Sequence, residues 1–327
     1  MEYFNAFEDL RAKRYMSKGL VIKNTGSWYV VKYGEDLVVN CKVKGNFRLI
    51  GIRTTNPVAV GDIVDFIAND DGTAYITAIE PRRNYIIRRA SNLSKESHIL
   101  AANIDMALLV VTFKDPLTST TFIDRFLATA EAYSVPVVIL INKIDLLDEE
   151  EMDYVKAVEY LYTTLGYEVL AMSAKESSDE VPERILSMAD GKVTLISGNS
   201  GVGKSTLINR LVPGLNIKVG VVSATHHTGM HTTTFSEMYE LGKGTYLIDT
   251  PGVKGFGTVD LGDDVAHYFR EIFKYSAQCR YGNCTHTHEP GCAVREALER
   301  HEISESRYAS YLSILEDKTE GKYRKAF

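Results

Sequence analysis

The sequence predicts three modules in series: an OB-like β-barrel, an α/β domain with a largely parallel sheet, and a small α-rich domain organised around a metal. Residues 19–81 contain five short β-rich segments separated by turn signals, which is typical of a small barrel. From about residue 100, apolar strand patterns alternate with helical patterns, as in a sheet covered by helices on both faces. Three of the four cysteines lie between positions 279 and 292. The predicted bounds are 1–18 for an N-terminal extension, 19–95 for the barrel and its connector, 96–258 for the α/β domain and 259–327 for the C-terminal domain.

The composition is that of an ordinary globular protein, with 45% hydrophobic and 24% charged residues among 327. No stretch approaches the roughly 18 consecutive apolar residues of a membrane span. The first nine residues carry three acidic side chains and no long apolar run, which is unlike a secretory signal. We therefore expect a cytoplasmic protein that does not contact membranes.

The charge is unevenly distributed along the chain. Residues 1–95 hold 15 Lys and Arg against 10 Asp and Glu, whereas the rest holds 22 against 33. A basic N-terminal module on an acidic body favours nucleic-acid contact at the front, although a solvated charged surface would give the same count.

The predicted barrel carries aromatic residues that could stack on RNA bases. These are Trp28, Tyr29 and Tyr75, with Lys42, Lys44, Arg48 and Arg53 as candidate contacts to the RNA backbone. Packing inside a barrel would explain the same aromatic residues equally well. The doubled arginines at 82–83 and 88–89 form a basic connector, which favours RNA modestly.

Buried strands are predicted at 105–112, 135–141 and 167–172, with amphipathic helices at 121–133 and 149–165 between them. In such a sheet, ligands bind at the carboxyl ends of the strands. The motifs that follow these strands are therefore the candidate site.

A complete phosphate-binding motif, G-x-x-x-x-G-K-[ST], follows the apolar segment 193–196 and precedes a helical pattern. Its members are Gly198, Asn199, Ser200, Gly201, Val202, Gly203, Lys204, Ser205 and Thr206. The loop would direct its N–H groups at phosphate, with Lys204 on the β- and γ-phosphates and Ser205 on Mg²⁺. The sequence therefore predicts that the chain binds a nucleoside triphosphate.

Two boxes predict which base is bound. Asn142, Lys143, Ile144 and Asp145 fit N-K-x-D, in which a carboxylate accepts from both the ring N–H and the exocyclic amine of guanine. Ser173, Ala174 and Lys175 resemble a second base-contacting loop at another strand end. Adenine offers no such pair of donors, so the expected nucleotide is GTP.

Downstream, a D-x-x-G box places Asp249 to orient the Mg²⁺ shell and the Gly252 N–H to contact the γ-phosphate. Threonines 232–234 lie between the boxes, and we favour Thr233 as the Mg²⁺ ligand. The guanine boxes precede the phosphate loop, whereas in ordinary GTPases they follow it. The α/β domain is therefore predicted to be a circularly permuted P-loop GTPase. Its D-x-x-G switch leads directly into the C-terminal segment, so the nucleotide state could move that segment.

Val253 stands after D-x-x-G, where many GTPases have the glutamine that orients the attacking water. An apolar side chain cannot do this, so we expect slow intrinsic hydrolysis. His231 is the candidate for positioning the water, although a structural switch histidine is as good an explanation.

The cysteine cluster has the spacing of a closed Cys₃His zinc site. Its predicted ligands are Cys279, Cys284, His286 and Cys292, with His288 as the competing nitrogen ligand. With no open coordination position, the zinc would be structural. The helices expected near 295–300 and 304–316 would pack on it.

In this order, the motifs closely resemble the ribosome small-subunit-dependent GTPase A (RsgA) family over residues 17–315. The resemblance implies a monomeric late assembly factor that binds the rRNA of the immature small subunit. It also implies that the subunit stimulates hydrolysis of GTP and that hydrolysis accompanies release. Family members share the apolar residue found here at Val253 and the histidine found at His231. Two departures are residues 1–15, which have no counterpart, and Met230, where a basic residue is frequent.

Two other readings compete with this one. A metabolic P-loop kinase or ATPase would use the barrel and the metal domain only structurally. A GTPase acting on the large subunit or on tRNA would share the α/β domain, although permuted GTPases of the large subunit lack the barrel and the zinc domain.

Overall fold

The computed structural model of the chain contains thirteen strands and seven α-helices in the residues that it describes. Those residues are 16–35, 37–43, 57–89, 97–175, 180–212, 214–215, 217, 236–250, 261 and 264–323. The strands are β1 Ser17–Asn24, β2 Tyr29–Lys32, β3 Val38–Val43, β4 Ile63–Ala68, β5 Thr73–Ile79, β6 Tyr85–Arg89, β7 Ser97–Ala102, β8 Met106–Val111, β9 Val137–Asn142, β10 Glu168–Met172, β11 Val193–Ser197, β12 Glu237–Gly242 and β13 Thr245–Asp249. The helices are α1 Thr120–Ala132, α2 Glu149–Thr164, α3 Glu180–Ala189, α4 Lys204–Leu211, α5 Arg270–Ser276, α6 Ala293–Glu299 and α7 Glu305–Tyr323.

The first five strands close a barrel in the order β1-β2-β3-β5-β4, with β4 returning to β1. Along β3, Val39 and Cys41 point into the barrel core while Val38, Asn40 and Lys42 are exposed, which is the two-residue alternation of a half-buried strand. The OB-like barrel is therefore confirmed. It begins at Ser17, because Ser17 and Lys18 pair with β4, so two residues that we assigned to the extension belong to the barrel.

The central domain is a parallel sheet in the order β10-β9-β8-β11-β13, with β12 antiparallel at the side of β13. Helices α1 and α2 bury one face of the sheet, and α3 and α4 bury the other. The strand that leads into the phosphate loop, β11, lies between β8 and β13, although β8, β9 and β10 all precede it in the chain. This is the permuted strand order that the motifs predicted.

The barrel and the central sheet share strand β1. Val21 packs in the barrel core, whereas Leu20 and Ile22 on the opposite face of β1 pack against the core of the central domain. The hairpin of β6 and β7, which follows the barrel, was not predicted; residues 82–89 were interpreted as a basic connector. Arg82 is largely buried there and donates to both carboxylate oxygens of Asp62.

The C-terminal helices pack on α1 and α2 around one buried arginine. The Arg307 guanidinium donates to Glu271 at 2.6 and 3.1 Å and to Asp124 of α1 at 2.7 Å. Tyr162 of α2 donates its hydroxyl to the same Asp124 oxygen at 2.7 Å. Burial opposes the charge of Arg307, but the two carboxylates outweigh it and raise its pKa. No helix in the described parts of the chain combines the length and apolar composition needed to cross a bilayer.

Candidate nucleotide site and metal cluster

The phosphate loop joins the end of β11 to the start of α4 through three glycines with positive φ, of which Gly201 has φ 86°. Gly198 has φ 148° and Gly203 has φ 98°. A Cβ added to Gly198 would lie 2.2 Å from the Val110 carbonyl oxygen, and one added to Gly203 would lie 2.3 Å from Nδ2 of Asn142. Both contacts are closer than a Cβ tolerates, so both positions require glycine.

Lys204 is the first residue of α4, and its side chain folds back over the loop. Its ammonium donates to the carbonyl oxygens of Gly198 at 2.9 Å and Asn199 at 2.8 Å. Burial lowers the pKa of Lys204 to about 8, with Asp249 opposing the shift. A bound anion would therefore stabilise the charged form of the Lys204 side chain.

Asn142 joins the three nucleotide motifs, because its amide contacts both neighbouring loops. Nδ2 donates to the Val202 carbonyl at 2.8 Å, and Oδ1 accepts from the Ala174 N–H at 2.9 Å. The side chain is buried at the end of β9. One amide thus fixes the guanine box, the phosphate loop and the Ser173–Lys175 loop relative to one another.

Asp145 and Lys175 lie at the exposed rim of this arrangement, while Ser173 and Ala174 are buried behind it. Asp145 lies in the short 3₁₀ helix Ile144–Leu146. The carboxylate that was predicted to read guanine therefore follows the carboxyl end of β9, three residues after the Asn142 that contacts the phosphate loop.

Lys143 makes a contact that the motif alone does not reveal. It adopts φ 64°, and its ammonium donates to the Asp115 carbonyl oxygen at 2.5 Å. Burial lowers the pKa of Lys143, and the neighbouring charge of Lys175 lowers it further. The loop between β8 and α1 is therefore part of the guanine end of the site, and the only sequence signal for it was its position after a buried strand.

Asp249 is the last residue of β13 and pairs in register with Ile196 of β11, one residue before the phosphate loop strand ends. The following residue, Thr250, donates its hydroxyl to the Ile196 carbonyl at 3.1 Å. Asp249 is buried, and Ser205 follows Lys204 at the start of α4. A carboxylate and a hydroxyl beside a phosphate-binding loop are the oxygen donors that suit Mg²⁺.

Some predicted residues lie outside the described part of the chain. Among the nucleotide-site residues these are His231, Thr233 and Gly252, together with Val253, and in the barrel they are Lys44, Arg48 and Arg53. Their predicted roles stay predictions.

The four predicted metal ligands lie together, with all ligand atoms within 4.8 Å of one another. Nδ1 of His286 is 3.5 Å from the Sγ atoms of both Cys279 and Cys292, and those two sulfurs are 4.0 Å apart. Tetrahedral zinc, with Zn–S of about 2.3 Å and Zn–N of about 2.0 Å, separates its ligand atoms by roughly 3.5 to 3.8 Å. The cluster therefore fits one zinc ion.

Neighbouring side chains hold the ligand loop in shape. Tyr308 donates its hydroxyl to the His286 carbonyl at 2.6 Å, and Tyr311 donates to the Thr285 carbonyl at 2.9 Å. His288, the competing nitrogen ligand, instead makes a 2.8 Å hydrogen bond with the Thr287 hydroxyl. His286 is the histidine of the cluster.

On the barrel, two of the three aromatic candidates are accessible. The Lys42 ammonium lies 4.1 Å from the centre of the half-buried Trp28 ring, and Tyr75, paired in register with Lys42, is 41% exposed. The side chain of Tyr29 points into the barrel core, so it cannot stack on a base.

Comparison with known families matches most of the chain to two models. Residues 79–259 match the model described as RsgA GTPase, and residues 18–76 match that of the RsgA N-terminal domain.

Curated relatives match nearly end to end. A Phocaeicola vulgatus protein named small ribosomal subunit biogenesis GTPase RsgA is 62% identical over 313 residues, covering 95% of this chain and 100% of that protein. A Porphyromonas gingivalis protein of the same name is 58% identical, with 94% and 98% coverage.

Two solved structures share the whole architecture. YjeQ from Thermotoga maritima is 32% identical with a TM-score of 0.66, covering 92% of this chain and 97% of its own. YloQ, described as a circularly permuted GTPase, is 30% identical with a TM-score of 0.66, covering 96% and 97%.

Proposed function

Because the chain belongs to the RsgA GTPase family, we propose that it is a GTP-hydrolysing late assembly factor of the small ribosomal subunit. In this proposal it binds rRNA and uses subunit-stimulated hydrolysis for its release. The observation that carries it is the Asn142 amide, which brings the guanine box and the phosphate loop to one end of the sheet. The names of the end-to-end relatives support the choice of the small subunit as partner.

Guanine recognition is assigned to the two boxes at the ends of β9 and β10. The Asp145 carboxylate accepts from the two guanine donors, and the buried Ser173 and Ala174 place the second loop behind the base. In this proposal Lys143 would lie along the nucleotide, which its hydrogen bond to the Asp115 carbonyl oxygen supports. This arrangement gives GTP an advantage over ATP, because adenine would leave the Asp145 carboxylate without those donors.

The triphosphate is assigned to residues 198–206. On binding, the Lys204 ammonium exchanges its two loop carbonyls for the β- and γ-phosphate oxygens. Ser205 and Asp249 would hold Mg²⁺, with Thr233 as a further ligand and Gly252 on the γ-phosphate. When bound, Mg²⁺ neutralises the charge that develops on the phosphate oxygens.

Hydrolysis requires a group that positions water, and Val253 cannot supply it. We assign this role to His231 and expect intrinsic turnover to be slow in the absence of the small subunit. Lys204 and Thr233 complete the catalytic set.

The cysteine cluster is assigned one structural zinc ion, held by Cys279, Cys284, His286 and Cys292. A closed Cys₃His set leaves no position for a substrate, so the zinc would organise the fold and take no part in hydrolysis.

RNA binding is assigned first to the barrel, through the exposed Tyr75 and the Trp28–Lys42 pair. The protein is expected to act as a cytoplasmic monomer on the small subunit.

The test is GTP turnover by the purified protein, alone, with small subunits and with large subunits. We expect slow turnover alone, strong stimulation by small subunits, and none by large subunits. Equal turnover of ATP, or stimulation by large subunits instead, would contradict the proposal. His231→Ala, with nucleotide affinity as its control, then tests the catalytic assignment.

A further inference from the structure

A row of three charged residues crosses from the barrel to the end of the nucleotide site. In the antiparallel pairing of β1 with β12, Lys23 is the register partner of Glu237. In the antiparallel pairing of β12 with β13, Glu237 is the register partner of Asp249. Register partners point to the same face of a sheet, with Cα atoms about 4.5 to 5.5 Å apart. Lys23, Glu237 and Asp249 therefore lie side by side on one face.

The first two members of the row are in direct contact. The Lys23 ammonium is 2.8 Å from Oε1 of Glu237, and both side chains are about one-third exposed. The backbones of the two segments are also hydrogen-bonded here, because the Asn24 N–H donates to the Ser236 carbonyl at 3.4 Å.

Asp249, at the inner end of the row, is buried. Tyr239, two residues along β12 on the same face, donates its hydroxyl to Oε2 of Glu237 at 3.4 Å. Its ring packs against the core cluster that contains Val202 of the phosphate loop and Leu207 of α4. Glu237 thus stands between an accessible barrel lysine and the carboxylate assigned to Mg²⁺.

We propose that Glu237 is a positioning residue for the magnesium end of the nucleotide site, and that Lys23 of the barrel sets the strength of its effect. The inference rests on the Mg²⁺ and GTP assignments of the proposed function. The Glu237 carboxylate adds negative potential beside Asp249, and the Lys23 ammonium cancels part of it. An RNA phosphate that draws Lys23 away exposes the Glu237 charge and strengthens Mg²⁺ binding.

This electrostatic row makes the two single variants act in opposite directions. Glu237→Gln removes negative potential and weakens Mg²⁺ binding, whereas Lys23→Gln removes positive potential and strengthens it. A purely structural contact would behave differently, because breaking it from either side would impair the site in the same direction.

The experiment measures binding of a fluorescent GDP analogue to the full chain as Mg²⁺ is titrated. Glu237→Gln should raise the half-saturating Mg²⁺ concentration by about threefold, and Lys23→Gln should lower it by about twofold, as expected for a unit charge several ångströms from the ion in partly exposed surroundings. The double variant should have a half-saturating Mg²⁺ concentration close to that of the unchanged protein. Lys18→Gln is the matched control, because Lys18 pairs with Glu80 within the barrel and away from the row.

Shifts in the same direction for both single variants, or no shift in either, overturn the proposal. A second arm adds small subunits: the half-saturating Mg²⁺ concentration of the unchanged protein should fall toward that of Lys23→Gln, and Lys23→Gln should shift no further. A shift of equal size in both proteins would overturn the role of Lys23 in sensing RNA. Failure of the protein to bind small subunits would contradict the proposed partner. Opposite shifts of Glu237→Gln and Lys23→Gln in the free protein would still support the effect of these two charges on Mg²⁺ binding.

Discussion

The two interfaces of the central domain differ in how they hold charge. Toward the C-terminal domain, Arg307 is fully buried and paired with Asp124 and Glu271. Toward the barrel, the Lys23–Glu237 and Lys32–Glu240 pairs are partly exposed, and strands β1 and β12 share one register pair. A buried network costs several kcal/mol to break, whereas a partly exposed pair contributes about 0.2–1 kcal/mol. From this difference we expect the first interface to be fixed and the second to respond to a bound partner.

This comparison changes an expectation drawn from the sequence. The D-x-x-G box leads directly into the C-terminal segment, which suggested that the nucleotide state could move that segment. The contact of Arg307 with Asp124 of α1, and those of Arg270 with the carbonyls of Leu165 and Gly166 after α2, attach the C-terminal domain to the half of the sheet that carries the N-K-x-D box. The barrel is joined to β12 beside Asp249, the residue to which Mg²⁺ is assigned, so it is the module that we expect to exchange signals with the switches.

Loss of the metal should have the largest effect on the fixed interface. Cys292→Ser removes a buried ligand, and structural zinc contributes on the order of 10 kcal/mol to the folding of small domains. We expect one zinc ion per unchanged chain, its loss in the variant, and unfolding of the C-terminal core that packs around Cys292. Zinc content and thermal unfolding measure this. Cys41→Ala, in the barrel core, should keep the zinc; if both variants keep it, the metal assignment is wrong.

Removing the buried arginine should come next. Arg307→Met leaves the Asp124 and Glu271 carboxylates buried without their cation, at a cost of about 3–5 kcal/mol in the free energy of unfolding. Arg300→Met is the control, because its pair with Glu302 is exposed and its removal should change the free energy of unfolding little. Urea denaturation compares the two variants. Equal losses would mean that the C-terminal interface is no more fixed than the surface.

At the nucleotide end, Asp145→Ala should weaken GTP binding by about a hundredfold or more, because two hydrogen bonds to a charged group, of about 1.5 kcal/mol or more each, are lost. ATP binding should not change, so the preference for guanine should disappear. Asp148→Ala is the matched control: Asp148 is an exposed carboxylate three residues away that caps α2, and its loss should affect stability by about 1 kcal/mol but not base preference. Competition binding with both nucleotides measures this. Retained guanine preference in Asp145→Ala would exclude the assigned reader.

The smallest expected effect is a pH dependence of GDP affinity. The pKa of Lys204 is lowered to about 8 by burial, and phosphate oxygens would raise it on binding. Below pH 8 the ammonium is protonated in both states, so affinity should be constant; above pH 8 the free protein loses a proton that the complex keeps, so affinity should fall by about tenfold by pH 9. Lys204→Arg does not titrate in this range and should show no such fall. A constant affinity in the unchanged protein would contradict the assignment.

The fold was largely predictable from local patterns. Short β-rich segments separated by turn signals indicated the barrel strands, and fully apolar runs indicated β8 and β9. The observed helices α1 and α2 lie within one residue of the predicted ones. The order of the motifs predicted the permutation, because the guanine boxes precede the phosphate loop along the chain although each motif follows a strand of the same sheet. The spacing of four side chains predicted the metal cluster.

What the sequence did not reveal depends on contacts between distant segments. Tyr29 reads as a base-stacking candidate, and only its inward orientation on β2 excludes it. Arg82 reads as part of an RNA-binding connector, but it forms a buried pair with Asp62. The pairing of Lys23 with Glu237 joins residues that are 214 positions apart, and no local pattern could have predicted it.

Amide hydrogen exchange, measured with a non-hydrolysable GTP analogue and with or without small subunits, compares the two interfaces most directly. If the barrel side responds and the C-terminal side is fixed, exchange in β12 from Glu237 to Gly242 should change on subunit binding. Exchange of the α7 amides around Arg307 should remain slow in both conditions. Altered exchange around Arg307 with β12 unchanged would contradict the assignment of fixed and responsive interfaces.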